Sequence, residues 1–343
     1  MDTAFVKRIV EEKYGISAVT VEKIKNVYQI CDEQGKYCLK VIKYELPHFL
    51  FILGTINHLI DKGFTSVLQI INTLDRKQYI ALDNKYAYLT PWVEARESNY
   101  DNPLDIEKAT LTLAKLHIKS TGFELQDFMK PRMGWFKWFD NFRTRKNEIL
   151  DFKSRIDAKE EKTEFDSIYI AHMEEELKRC DVAIKNLGES EYYIKMTKEI
   201  RSRGFCHHDF AHHNVLIGID ERVNIIDFDY VILDTHLHDL SSLLIRRMKN
   251  GKWDIENARS ILEAYDSLYP VEEDDIPIMA AFMEFPQDYW QVGIQYYWEE
   301  QPWGEDFFLK KLGRILDDNE EKQEFIDEFR TFRFKRKGGV LIE

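Results

Sequence analysis

The spacing of hydrophobic and polar residues changes near residue 91. Before that point, short runs rich in β-branched and aromatic residues predict strands at 19–25, 27–31, 37–43, 67–71, 78–82 and 86–90. Two helical patterns accompany these strands, at 3–14 and 47–62. The first part of the chain is therefore predicted to form a small, mostly antiparallel sheet with one or two helices.

Beyond residue 91, apolar residues recur mostly at helical spacing. The segments with this spacing are 105–119, 133–158, 163–187, 191–203, 239–248, 254–268, 271–282, 285–298 and 305–332. The segment 133–158 is also rich in aromatic and basic residues, and we expect a helix that packs its rings inward. The pattern predicts an α+β protein with a small sheet-containing lobe, residues 1–91, and a large, mostly helical lobe, residues 92–343.

One segment of the second lobe, residues 205–230, departs from the helical pattern. Two apolar runs, Val215–Ile217 and Val223–Ile226, stand on either side of a polar turn and predict two short paired strands. Four polar residues lie around these runs: Asp209, Asn214, Asp227 and Asp229. Carboxylates and an amide at strand ends suit a hard cation and a proton acceptor. This segment is therefore the candidate site of chemistry.

Composition and charge narrow the class of protein. The chain carries 48 basic and 61 acidic side chains, a net charge of −13, which argues against nucleic-acid binding as its main role. No apolar run reaches the roughly 18 residues of a membrane span, and the mixed charges of the first 14 residues are unlike a signal peptide. The four cysteines show no paired spacing. We therefore expect synthesis in the cytoplasm, reduced thiols, and neither a membrane nor a nucleic-acid partner.

The polar residues of segment 205–230 have the spacing of a kinase catalytic loop. His207, Asp209 and Asn214 follow the pattern His-x-Asp-x-x-x-x-Asn. In such a loop the aspartate faces an acceptor hydroxyl and the asparagine turns back to a metal. Asp227, at the end of the second predicted strand, would ligate Mg²⁺ at the nucleotide phosphates. Each half alone is a weak signal, and a polar hairpin with capping aspartates would explain it; together they indicate a kinase.

These residues resemble the aminoglycoside-phosphotransferase and choline-kinase-like superfamily, whose loop reads His-Gly-Asp-x-x-x-x-Asn and is followed by Ile-Asp-x-Asp/Glu. Other segments narrow the resemblance to spore-coat CotS-type proteins: Met133–Trp138, His207–Phe210, Asp234 to Asp239-Leu240, and Phe285–Trp290 leading into Tyr296–Trp298. The resemblance covers nearly the whole chain. It implies a bilobal protein-kinase-like fold, ATP and Mg²⁺ as cofactors, a small-molecule or saccharide acceptor, and association with the spore coat and its proteins.

The same resemblance implies a role for each polar residue of the segment. Asp209 would be the catalytic base, and Asn214 and Asp227 would hold Mg²⁺. The supporting residues would be Asp229, a further carboxylate; His207, which would brace the loop; and Asp239, which would cap a helix and tie it to the loop.

Matching features are found upstream of the loop. Lys40 lies on the third predicted strand, like the lysine of the kinase Val-Ala-Ile-Lys segment, and would contact the nucleotide phosphates. Residues 90–93, Thr-Pro-Trp-Val, resemble the hinge between kinase lobes. There the carbonyl of Pro91 and the N–H of Val93 would bind adenine, because proline keeps its carbonyl but has no N–H.

Three departures from the family pattern bear on activity. The turn between the first two strands is Lys25-Asn26, without the glycine that close approach to phosphate favours. Residues 47–60 contain no Asp or Glu, so the usual acidic partner of Lys40 is either missing or supplied from elsewhere. His208 replaces the usual glycine of the catalytic loop and should crowd it.

Two alternatives to a kinase therefore remain at the level of the sequence. One is a noncatalytic, kinase-like structural protein of the spore coat, since a fold does not determine a function. The other is a metal-dependent hydrolase, because six histidines lie within a short stretch that also contains aspartates. They are His207, His208, His212, His213, His236 and His238. The sequence completes no zinc-hydrolase motif, and the preferred hypothesis is an ATP- and Mg²⁺-dependent phosphotransferase acting on a hydroxyl group.

Overall fold

The computed structural model describes residues 2–82 and 85–333, which pack into two units. The first unit contains the chain up to Asn99, Gly122–Arg132 and Ala211–Val231. The second contains Tyr100–Thr121, Met133–Phe210 and the chain from Ile232 onward. The sequence divided the chain only once, at residue 91, whereas each packing unit is assembled from three segments. The division into functional lobes remains a prediction, with boundaries different from those of the packing units.

The first unit contains two antiparallel sheets and two helices. The helices are α1 (Thr3–Tyr14) and α2 (Leu46–Asp61); the strands are β1 (Thr20–Ile24), β2 (Val27–Cys31), β3 (Lys36–Ile42), β4 (Ile80–Leu82), β5 (Lys85–Pro91), β6 (Ala95–Glu97), β7 (Val215–Gly218) and β8 (Val223–Ile225). Five strands form one sheet in the order β1-β2-β3-β5-β4, and three form another in the order β6-β7-β8. The predicted antiparallel sheet is confirmed.

Hydrophobic residues of both helices pack against the larger sheet. Val6 and Val10 of α1 are fully buried in a cluster with Leu39 and Leu89 of the two central strands. Phe49 of α2 belongs to a second cluster, with Ile42 and Tyr88. Burying side chains of this size stabilises the fold by roughly 1.5–3 kcal/mol each. This packing fixes β3, the strand that carries Lys40.

Two strand predictions for this unit need correction. The predicted strand at 67–71 is not a strand: only Val67 and Ile71 make isolated bridges, to Ile225 and Leu89. The short strand β6 was missed, because its residues are polar and its partner β7 is more than a hundred residues away. Both errors arise from pairing between distant segments, which local spacing does not record.

The second unit is almost entirely helical. Its helices are α3 (Pro103–Ser120), α4 (Trp138–Asp157), α5 (Glu164–Glu189), α6 (Tyr192–Ser202), α7 (Leu237–Met248), α8 (Ile255–Asp266), α9 (Asp275–Glu284), α10 (Gln287–Gly293), α11 (Glu305–Asp317) and α12 (Asn319–Arg330). The last turn of α10 continues as a wider π-type turn, Ile294–Trp298. The α+β class predicted from the sequence is confirmed.

Several helix boundaries differ from the predicted ones. The predicted helix 305–332 is two helices, separated at Asp318. The carboxylate of Asp318 accepts hydrogen bonds from the backbone N–H of Gly251 and the indole N–H of Trp253, which hold the chain at this junction. The predicted helix 133–158 begins only at Trp138. Its aromatic side chains Trp138 and Phe142 are buried, which confirms inward packing for the rings of the helix itself, whereas Phe136, before the helix, is exposed.

Aromatic side chains dominate the core of the second unit. Tyr169 and Tyr289 stack with ring centroids 4.2 Å apart, and each hydroxyl donates to the backbone carbonyl of the other residue. Phe152 packs against Tyr169 from α4. Along residues 2–82 and 85–333, none of the helices has the combination of length and apolarity needed to cross a bilayer.

Replacing Gly293 by alanine should destabilise this aromatic core. A Cβ at that position would lie 2.5 Å from the Tyr169 hydroxyl and 2.7 Å from the Phe152 ring. Neither ring has space to move, so we expect Gly293→Ala to lower the free energy of unfolding by about 1–3 kcal/mol in urea titrations.

The matched control is Gly313→Ala in α11, where a Cβ would have no described atom within 4 Å. Alanine favours a helix over glycine by roughly 0.5–1 kcal/mol, so this variant should be neutral or more stable. Equal stability changes in the two variants would show that the close approach at Gly293 is not the cause.

Candidate functional site

In the first unit, the ammonium group of Lys40 contacts two carboxylates. Its Nζ lies 2.7 Å from Oδ1 of Asp227 and 2.6 Å from Oδ1 of Asp229. Lys40 lies on the central strand β3, opposite Val27 on one side and Tyr88 on the other. Its side chain is 13% exposed, whereas that of Asp227 is 40% exposed. A largely buried cation is therefore held by two carboxylates, of which that of Asp229 is the less exposed, at 18%.

The charge state of Lys40 follows from a balance of burial and attraction. Burial by itself lowers the pKa of the ammonium, but charge interactions with Tyr88, Asp229 and Asp227 prevail and raise this pKa above its ordinary value. Tyr88 is neutral near pH 7 because burial raises its own pKa, so the two aspartates account for the effect at that pH. Burial raises the pKa of Asp229, against the opposing charge of Lys40.

The backbone after β8 explains why both aspartates face the same lysine. Asp227 adopts a left-handed conformation, with φ 65°, and a single helical turn, Phe228–Tyr230, follows it. The ring of Phe228 is buried, and the carboxylates of the residues before and after it, Asp227 and Asp229, contact Lys40. A left-handed non-glycine residue is uncommon and marks a conformation held by its surroundings. The acidic partner absent from α2 is thus supplied by this turn.

Asn214 is tied by its backbone to the residue before Asp227. It ends a short helical turn, His212–Asn214, and is buried. Its carbonyl accepts a hydrogen bond of 3.0 Å from the N–H of Ile226. Pairing of β7 with β8 continues this contact, with Val215 opposite Ile225. The structure therefore brings Asn214 and Asp227 to adjacent positions of one hairpin.

A cavity of about 640 Å³ in the first unit is lined by Lys40, Asp227 and Asp229. Pro91 and Val93 line the same cavity, so the two residues predicted to bind adenine share it with the lysine–aspartate group. Its apolar lining includes Val27 and Val41 from the sheet. A mostly apolar cleft with a few converging charged groups is typical of a small-molecule site.

In the second unit, the loop that carries Asp209 is held by the buried carboxylate of Asp239. This carboxylate accepts hydrogen bonds of 2.7 and 2.8 Å from the backbone N–H groups of His207 and His208. Nε2 of His117 lies 3.1 Å from the same carboxylate. Burial raises the pKa of Asp239, but hydrogen bonds and charge interactions with His117 and His238 prevail and hold it well below its usual range. Asp239 is therefore ionised.

Asp239 contacts the loop as predicted but does not cap its helix. His236 occupies the cap position of α7, and Asp239 lies in the first helical turn. The Asp239 carboxylate therefore accepts hydrogen bonds from the loop and not from the end of the helix. One of its donors, His208, has a φ of 71°, in a region that favours glycine. The predicted crowding at His208 is thus a backbone strain, and the hydrogen bond to Asp239 holds the residue in this conformation.

Asp209 forms an ion pair that the sequence did not reveal. Oδ1 of Asp209 lies 2.8 Å from the guanidinium of Arg246. The Asp209 side chain is 28% exposed and that of Arg246 is 30% exposed. Arg246 lies on α7, seven residues after Asp239, so both residues face the loop from one side of the helix. The helical spacing from Asp239 was the signal that would have found it. The pair orients the Asp209 carboxylate from the helix that also holds the loop backbone.

Within the described residues, none of the six histidines singled out in the sequence belongs to a group of three potential metal ligands. Among residues 2–82 and 85–333, three potential metal ligands come together in one group, which consists of His117, Cys206 and Asp239. Burial keeps the Cys206 thiol protonated by raising its pKa, and the thiol donates to the Thr235 carbonyl. Since all three already have partners within the protein, this group supports the loop and gives the hydrolase interpretation no support.

A second buried carboxylate, Asp234, fixes the segment that leads into α4. It accepts hydrogen bonds from the indole N–H of Trp138 and the backbone N–H of Thr235. Gly134 packs so closely that a Cβ there would lie 2.5 Å from the carboxyl carbon of Asp234. The Met-Gly-Trp segment and Asp234 are thus one packed feature, although far apart in sequence.

The sequence is similar to known proteins over most of its length. The sequence matches the family described as "Spore coat putative kinase YutH" over residues 7–329. It is 24% identical over 305 residues to spore coat protein S of Bacillus subtilis, covering 88% of this chain and 86% of that protein. It is 26% identical over 266 residues to homoserine kinase of Parvibaculum lavamentivorans, covering 74% and 72% of the two chains.

Solved structures show the same fold. An aminoglycoside phosphotransferase from Alicyclobacillus acidocaldarius superposes with a TM-score of 0.81 at 21% identity, over 94% of this chain and 95% of that one. A spectinomycin phosphotransferase, solved with ADP and spectinomycin, gives a TM-score of 0.71 at 17% identity, over 97% and 99% of the two chains. The kinase-like fold implied by the resemblance is confirmed.

The carboxyl group of Asp234 should make stability depend on pH. Burial raises its pKa to about 6, against the opposing effects of His238, Trp138 and Thr235. A raised pKa means that the folded protein binds the proton more tightly than the unfolded chain. The contribution of Asp234 is therefore full below about pH 4 and is lost, by about 3 kcal/mol in total, as the pH rises through about 6.

Urea unfolding of the wild type and Asp234→Asn at several pH values between about 4 and 7 measures this effect. Asparagine has no carboxyl group to titrate, so the variant should lose less stability over this pH range than the wild type. Asp127→Asn, at an exposed position, is the control and should follow the wild type. Parallel curves for the wild type and Asp234→Asn would contradict the assignment.

Proposed function

Because this chain belongs to the YutH family of spore coat kinase-like proteins, we propose that it is an ATP- and Mg²⁺-dependent phosphotransferase that acts on a hydroxyl group of a small molecule. One observation carries the proposal: a buried lysine and two aspartates meet at a cavity that is also lined by the predicted hinge residues Pro91 and Val93. This combination suits a ligand with a flat, weakly polar part and a charged phosphate chain.

The residues present fit a magnesium ion. Mg²⁺ prefers oxygen ligands, usually one or two carboxylates together with substrate phosphates. Asp227 is a carboxylate with 40% of its side chain exposed, and the amide oxygen of Asn214 belongs to the same hairpin. When bound, Mg²⁺ neutralises negative charge on the nucleotide phosphates. In this proposal Asp227 and Asn214 are its ligands, and Asp229 keeps Lys40 in place.

Within this proposal, Lys40 and Asp209 have separate tasks. Lys40 binds the phosphates. The two aspartates raise the pKa of Lys40 and so keep its ammonium group charged. Asp209 accepts the proton of the acceptor hydroxyl as that oxygen attacks the terminal phosphorus of ATP; the bond from this phosphorus to the bridging oxygen breaks, and ADP leaves. Arg246 orients Asp209, and Asp239 holds the loop through the N–H groups of His207 and His208. His207, which is fully buried, braces the loop rather than reacting.

The acceptor belongs to the class of small alcohols. Relatives and neighbours named as homoserine kinase, aminopropanol kinase and aminoglycoside phosphotransferase all carry names of hydroxyl-bearing compounds, which supports this class. The likeness to spore coat protein S supports association with the spore coat, where other coat proteins would be its partners. A coat protein that keeps the fold without catalysis is the competing function, and nucleotide binding separates the two.

Thermal shift with ATP and Mg²⁺ tests the nucleotide and metal parts of the proposal. A ligand at a hundred times its dissociation constant stabilises a protein by about 2.7 kcal/mol. We expect the wild type to be stabilised by ATP, and more strongly when Mg²⁺ is present. Asp227→Asn should lose the additional Mg²⁺ effect, because it removes the exposed carboxylate ligand.

Asp229→Asn is the matched variant for this measurement. It also removes one partner of Lys40, yet it should retain the Mg²⁺ effect while binding ATP more weakly. If the wild type shows no shift at millimolar nucleotide, the noncatalytic coat protein is favoured. If both variants keep the full Mg²⁺ effect, Asp227 is not the ligand.

Measuring phosphate transfer from ATP to a panel of small alcohols tests whether Asp209 is the general base. The panel would contain homoserine, amino alcohols and aminocyclitols. Asp209→Asn should lower kcat by roughly 10²–10⁴, the usual contribution of a general base, and leave the thermal shift with ATP unchanged. Asp127→Asn again serves as the control. Full activity of Asp209→Asn would show that Asp209 is not the base.

A further inference from the structure

The cavity of the first unit carries a positive charge that Lys40 does not explain. Four further lysines line it: Lys23, Lys25, Lys43 and Lys85. The acidic residues in its lining are Asp227 and Asp229, and both already contact Lys40. The whole chain, by contrast, has a net charge of −13. A locally basic cavity on an acidic protein favours an anionic ligand.

Three of these lysines are exposed and form no ion pair with another described residue. These are Lys23, Lys25 and Lys43. Other lysines of the same unit do, such as Lys36 with Glu94 and Lys77 with Asp75. The ammonium groups at the cavity therefore remain available to a ligand.

The turn between β1 and β2 carries Lys25 in an unusual conformation. The turn has only two residues, since Ile24 pairs directly with Val27. Lys25 has a φ of 51°, in the left-handed region that glycine or asparagine adopts more easily. A two-residue hairpin turn requires a positive φ at its first central residue, so the turn accounts for this conformation and places Lys25 in the lining of the cavity.

We propose that Lys23 and Lys25 bind the phosphate chain of the nucleotide through their side-chain charges, in place of the backbone N–H groups that a glycine-rich turn would offer. This inference rests on the proposed function and deepens it. Lys23, on β1, and Lys25, in the turn that follows it, both line the cavity. Their flexible stems let the ammonium groups reach phosphate although the turn itself is too short to enclose it.

The consequence is a nucleotide affinity that depends on phosphate charge. Backbone donors at a fixed position recognise phosphate geometry, whereas lysines act as mobile point charges. Affinity should therefore rise steeply from adenosine through AMP and ADP to ATP, and should fall with added salt.

Calorimetric titration of the wild type and the double variant Lys23→Met/Lys25→Met tests the inference. We expect the affinity for ATP to fall about 10- to 50-fold, as for the loss of two charge-assisted contacts, and that for adenosine to change less than about twofold. The salt dependence of ATP binding should also become weaker. Lys23→Arg/Lys25→Arg, which keeps both charges, should retain the affinity of the wild type.

The control is Lys7→Met, an exposed lysine on α1 that does not line the cavity. It should bind all four nucleotides as the wild type does. Because the substituted lysines are exposed, thermal unfolding should change little in any of these variants.

The outcomes separate this inference from the proposed function. If the wild type binds ATP and the double variant binds it equally well, the lysine contacts are wrong while the kinase proposal stands. An equal loss of affinity for adenosine and ATP would show a structural effect and would also overturn the inference. If the wild type binds neither ATP nor inorganic tripolyphosphate, both proposals fail. Binding of tripolyphosphate without ATP would also overturn both, because the lysines would then bind an anion that is not a nucleotide.

Discussion

The contact of Lys40 with Asp227 and Asp229 is the interaction on which the first unit depends. A lysine on the central strand is largely buried, and an unpaired ammonium there would be strongly destabilising. Two carboxylates from the turn after β8 remove that cost, and they also fix the turn relative to the sheet. The cavity lined by these residues exists because a segment more than 180 residues away packs against β3. The same atoms that stabilise the unit are those that would meet a phosphate chain.

The second unit contains a comparable constraint, centred on Asp239. Its buried carboxylate accepts hydrogen bonds from two successive N–H groups of the loop and contacts the ring of His117. This arrangement stabilises His208 in a backbone conformation that a histidine adopts reluctantly. It also orients α7 so that Arg246 can hold Asp209. Asp209, which we propose as the base, is thus kept in place by neighbours on α7, as is usual for a preorganised site.

Departures from a family pattern are informative when the structure shows what replaces the missing part. The acidic partner of Lys40 is absent from α2, yet the lysine is fully paired by Asp227 and Asp229. The glycine that the family pattern places in the turn after β1 is absent, and lysines line the cavity beside that turn. In the first case other residues provide the missing charge, and in the second we propose that they do. Missing motif residues therefore argue less strongly against activity than they did in the sequence alone.

The sequence by itself determined the α+β class, the strands β2, β3 and β5, the helices and the identity of the central polar residues. These features depend on local spacing and on residue type, which the order of residues records directly. It did not determine the strand β6, the break at Asp318 or the pairing of Asp209 with Arg246, because each depends on a contact with a distant segment. The partner of Lys40 was the clearest case. The sequence showed only that residues 47–60 carry no carboxylate, and tertiary packing decided that Asp227 and Asp229 would supply it.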